Sequence, residues 1–92
     1  MDENKGARIL EKVHTIAILQ YLYEHGQCRK MDLYEDVSTD PTVQVRLNEL
    51  EENGLIRTDT DRSRRAAVVI SLTARGIQVA ELLADIDGIL KG

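Results

Sequence analysis

Ninety-two residues, 42% of them hydrophobic, suffice for one compact domain of modest stability and no more. Three Tyr and no Trp or Phe leave the core to Ile, Leu, Val and Ala, a composition that leans helical. The net charge of -4 excludes a chain that is basic throughout, so any surface for a polyanion has to be local.

No apolar run approaches the roughly 18 residues that span a bilayer. The polar start Met1 to Gly6 lacks the basic-then-apolar order of a signal peptide, so a cytoplasmic protein is expected. A flexible N-terminus is expected over 1–8 and a single domain over 9–92. The stretch 9–24, ILEKVHTIAILQYLYE, has no Gly or Pro and is apolar around much of its circumference, which predicts a helix closed by His25-Gly26. Residues 27–30, QCRK, read as a minimal strand, and 31–37 as a two-turn helix. Ser38-Thr39-Asp40-Pro41 is a turn into the next helix, with Asp40 as N-cap and Pro41 at the first helical position. That helix, 41–53, carries Val43, Leu47 and Leu50 on one stripe and stops at Asn53-Gly54.

Beyond Gly54 the pattern shifts to β-branched runs at 55–58 and 66–72, joined by the charged loop 59–65, DTDRSRR, which predicts a hairpin. A last amphipathic helix is expected from Thr73 to about residue 90, weakened at Gly88. The lone Cys28 cannot form an intrachain disulfide, and with His14 and His25 it makes no usual zinc set, so a buried structural thiol is expected, with no metal and no cofactor. No nucleophile stands beside a base and no Gly-rich phosphate loop is present, so no enzymatic activity is expected.

The element order is helix, short strand, helix, helix, two-stranded wing, C-terminal helix. It predicts a mainly α fold with a small β-hairpin, a winged helix-turn-helix. With Val43, Leu47 and Leu50 turned inward, Thr42, Gln44, Val45, Arg46 and Asn48 project outward. Gln and Asn suit adenine edges, Arg suits guanine or phosphate, and Val45 suits a thymine methyl. Arg62, Arg64 and Arg65 crowd the hairpin loop, and six of the twelve basic residues lie between 46 and 75, a local cationic patch. Double-stranded DNA is the expected partner, with 41–53 in the major groove and the wing 59–65 on the backbone or minor groove. The alternative is a winged-helix protein-interaction module without direct DNA binding. The apolar surplus of the first and last helices predicts a homodimer formed through them. No constellation points to a small-molecule effector.

VQVRLNELEENGLIR at 43–57 and DRSRRAAVVISLTARG at 61–76 resemble the MarR-type winged helix-turn-helix transcription regulators, in a shortened form. The start of the helix at Pro41-Thr42-Val43 is also similar to the ArsR type. The resemblance implies a transcription regulator with Thr42, Gln44, Val45, Arg46 and Asn48 on its major-groove helix and Arg62, Arg64 and Arg65 on its wing.

Overall fold

The computed structural model describes residues 5–64 and 67–92. The chain opens with one helical turn, α1 (Lys5–Arg8), and a 3-10 turn, Ile9–Glu11. It then breaks: Lys12 is extended and His14 takes the left-handed conformation at φ 72°, before α2 (Thr15–His25) begins. The continuous helix expected over 9–24 is therefore interrupted. The reason lies in packing. Thr15, Ile18, Leu19 and Leu22 form the buried stripe of α2, and at about 100° per residue an unbroken helix would carry Ile9 about 180° around from Ile18. The break returns Ile9 to the core, where it is buried.

Gly26, at φ 75°, ends α2 in a conformation that costs glycine little. Strand β1 (Cys28–Arg29) follows, then α3 (Lys30–Asp36), whose start is fixed by Asp32 accepting the backbone N–H of Arg29 at 2.9 Å. Of the apolar residues of this segment, Leu33 is buried, Tyr34 and Val37 are half-buried, and Met31 faces solvent. Helix α4 (Thr42–Glu52) begins one residue later than expected, with Pro41 in the cap position supplying preset helical backbone and Asp40 Oδ1 accepting the Thr42 N–H at 3.0 Å.

Gly54, at φ 74°, turns the chain into β2 (Ile56–Asp61). A 3-10 turn at Arg62–Arg64 and β3 (Ala67–Leu72) complete the hairpin, paired antiparallel from Ile56 opposite Leu72 to Asp61 opposite Ala67. The ladder extends through Asp61, so the loop expected over 59–65 is shorter, with Asp59 and Thr60 in the strand. The sheet order is β1-β3-β2, with Cys28 opposite Ile70. Helix α5 (Ala74–Lys91) is capped by Thr73, whose Oγ1 accepts the Gly76 N–H at 3.0 Å. Ile18, Leu19, Leu22, Leu33, Val43, Leu50, Ile56 and Ile70 form one core between α2, α3, α4 and the sheet. The fold is the expected winged helix-turn-helix.

Cys28 is buried in this core. Its thiol is pushed up to about 11 by burial first, with Asp32 and Asp36 adding to the shift. It is expected to resist iodoacetamide at pH 7.5 in the folded state and to react at the ordinary rate in denaturant. Equal rates in both states would contradict the burial.

Candidate nucleic-acid interface

Helix α4 presents two unlike faces. Val43, Leu47 and Leu50 are buried, while Val45 and Asn48 are exposed and Thr42 and Gln44 half-buried on the outer side. Thr42, Val45 and Asn48 recur at i, i+3 and i+6 and so share one face. Gln44 Nε2 donates to Asn48 Oδ1 at 2.9 Å, which holds the two amides together beside Val45. Val45 is 50% exposed amid polar neighbours, an apolar side chain without cover.

Arg46 does not join this surface. The outward projection expected of it is overturned: it is 7% exposed, its Nε donates to the Val13 carbonyl at 2.9 Å, and its Nη1 donates to Glu49 Oε1. Its position explains this, since 46 lies three residues past Val43 and four before Leu50, on the same inward stripe. The spacing carried that signal, and the charge of the side chain masked it. The long stem packs inward while the guanidinium reaches polar partners at the core's edge.

The same contacts decide what Glu49 does near a polyanion. Its second oxygen accepts Lys12 Nζ at 3.2 Å, so the carboxylate lies between two cations. The Arg46 hydrogen bond, then Lys12, hold it below the usual carboxylate range. Asp40 is likewise lowered, chiefly by its Thr42 hydrogen bonds and further by His14, whose Nε2 lies 3.5 Å from Asp40 Oδ2. Both carboxylates have lowered folded values, so their stabilisation is present above about pH 4 and is lost as pH falls through those values.

The wing flanks α4. Arg62 is exposed at its tip, Arg64 closes the 3-10 turn, and Arg65 lies outside the described residues. Asp61 shapes the tip: its Oδ1 accepts both the Ser63 N–H at 3.0 Å and the Ser63 hydroxyl at 2.6 Å. Asp59 sits 3.6 Å from Arg57 on its own strand. The turn from α4 into the wing is tied to the start of α5, because Thr73 Oγ1 donates to the Gly54 carbonyl at 2.6 Å and Thr73 N–H to the Leu55 carbonyl at 3.0 Å. Helix α4 and the wing are thereby joined at one point. Among the described residues no group of three or more His, Cys, Asp or Glu is placed to hold a metal, and no helix is long and apolar enough to cross a membrane.

No family model matches the chain. An uncharacterised helix-turn-helix-type transcriptional regulator of Bacillus subtilis, YwhA, is 32% identical over 69 residues, which are 74% of this chain and 50% of that protein. The chain thus spans half the length of this relative. A transcriptional regulator of the MarR family from Enterococcus faecalis shares the fold at a TM-score of 0.81, with 20% identity over 99% of this chain and 87% of that one. A mutant of MepR from a multidrug-resistant S. aureus isolate is 28% identical, with a TM-score of 0.74 over 97% of this chain and 69% of the other. The resemblance to MarR-type regulators read from residues 41–76 therefore extends to the fold of the described chain.

Proposed function

From a winged helix-turn-helix that resembles the MarR-family regulators, we propose a small transcription regulator that binds double-stranded DNA sequence-specifically and has no enzymatic activity. In this reading residues 9–92 act as one domain in the cytoplasm; of the stretch 1–8 expected to be flexible, Lys5–Arg8 is helical. Helix α4 enters the major groove, and Thr42, Gln44, Val45 and Asn48 meet base edges there. The wing lies on the backbone or the adjacent minor groove, with Arg62, Arg64 and Arg65 toward phosphates. The observation that carries this reading is the outer face of α4, where an uncovered Val45 stands among a Thr and two amides while the Glu49 carboxylate on the same helix is occupied by Arg46 and Lys12. Such a face offers hydrogen-bond donors and acceptors plus one apolar contact, the set that major-groove edges require.

Two copies pair in this reading. Leu82, Ile86, Ile89 and Leu90 recur on the exposed side of α5, and a second subunit would cover them. The pair presents two recognition helices to half-sites about one helical turn, roughly 34 Å, apart.

Selection of bound sequences from random DNA with the purified chain tests the proposal, and a two-fold symmetric motif is the expected outcome. Affinity for it should fall steeply with salt. The Arg62, Arg64 and Arg65 triple Ala variant should flatten the log–log slope by about 2 to 3. Recovery of no preferred sequence at moderate salt would sink the regulator reading.

A further inference from the structure

Resting on the DNA-binding reading, we infer that Arg46 is a positioning residue: it fixes the rotation of the recognition helix without touching DNA, by locking α4 to the break at residues 12–14. The apolar stripe of Val43, Leu47 and Leu50 holds α4 against the core, but apolar contact is non-directional and tolerates small rotations about the helix axis. Hydrogen bonds to a charged group are directional and stronger than neutral ones. Arg46 supplies two of them, one to the Val13 carbonyl and one to Glu49, and its side chain is only 8% exposed. A guanidinium that buried is costly unless its partners are well placed, so the site depends on this geometry being kept.

The break is the other half of the lock. Lys12 is extended and His14 is left-handed, and each of these three consecutive residues makes a contact to α4 or to the residues that cap it: Lys12 to Glu49, the Val13 carbonyl to Arg46, His14 to Asp40. The helix is therefore held near its start and at its middle on one short segment. Val45 and Asn48 each adjoin a clamped residue, Arg46 and Glu49 respectively, so the direction in which they face is set by these bonds. The left-handed His14 also gains an account, since the carbonyl of Val13 is presented to Arg46 at the point where the chain departs from helix.

The test separates positioning from phosphate contact. Arg46→Met keeps the length of the stem and removes the charge. Against the selected DNA it should lose about tenfold or more in affinity, the scale of one base contact. Affinity for random duplex should fall much less, by the freeing of Glu49 alone, and the salt slope should stay at the wild-type value, because no phosphate contact is removed. A slope flattened by about 0.9 would mean that Arg46 itself neutralises a phosphate and would overturn the inference. So would unchanged affinity for the selected DNA. Should Arg46→Met fail to fold, Glu49→Gln, which preserves shape and weakens the lock, decides by the same readouts: a loss confined to the selected DNA supports the role, and no loss overturns it. Absence of any specific binding by the wild-type chain would instead remove the regulator reading, and this inference with it.

Discussion

Gly76→Ala is expected to destabilise the chain sharply, because this glycine is buried. Gly76 sits in the first turn of α5, buried against the turn that joins α4 to the wing. A Cβ there would lie 2.0 Å from the Leu55 carbonyl oxygen and 3.0 Å from its carbon, and both are backbone atoms. Leu72 Cδ2, at 3.1 Å, has room to give way; the Leu55 peptide does not, because its carbonyl is already bonded to the Thr73 N–H. Overpacking against fixed backbone costs about 3 kcal/mol, a large share of the roughly 5–10 kcal/mol available to a domain of this size. The melting temperature should drop by about 15 °C, read by circular dichroism. Gly88→Ala is the control: nothing lies within 4 Å of its Cβ position, and an exposed helical site should gain about 0.8 kcal/mol. Melting of Gly76→Ala within 2 °C of wild type, taken as about half a kcal/mol, would refute the close approach.

The second large effect is expected on assembly and, through it, on DNA affinity. Leu82 is 63% and Ile86 50% exposed, so Leu82→Glu with Ile86→Glu removes little from the core of one subunit. In a dimer it would bury four carboxylates in the seam, and sedimentation equilibrium should show the variant as a monomer. Binding to a two-half-site DNA should weaken by about a hundredfold or more, since the second half-site is no longer held at high effective concentration. Binding to an isolated half-site should be unaffected. A variant that sediments as the wild type does would discard this face as the seam.

The sequence disclosed elements whose signals are local and hid those made by distant partners. Asp40-Pro41 and Asn53-Gly54 bracket α4 to within a residue, because a cap and a left-handed stop act on their own neighbours. The wing was legible from its β-branched runs, and its length was not, since pairing of Asp59 to Asp61 with β3 depends on the opposite strand. The break at 12–14 carried no Gly or Pro to announce it. It follows from the need to bring Ile9 inward and from the demand of Arg46 for a carbonyl, and both belong to tertiary structure. Within the candidate interface, Thr42, Gln44, Val45 and Asn48 follow from turning the apolar stripe inward. Arg46 is the exception, because its charge suggests the outer face while its spacing from Val43 and Leu50 matches the core. The pairing of Gln44 with Asn48 was available from their i, i+4 separation.

Thr73 binds the Gly54 carbonyl, the Leu55 carbonyl and the Gly76 N–H at the root of α5, where recognition helix and wing meet. The two reading elements thus form a single head mounted on an 18-residue shaft. In the proposed pairing along that shaft, the separation and relative twist of the heads are counted off in helix residues, about 1.5 Å and 100° for each. Lengthening or shortening α5 beyond its packed first half resets the spacing of the two heads and leaves the surface of each head as it was. Under the proposed function, the sequence each head reads and the distance between the heads are consequently separable traits, written in different parts of the same short chain.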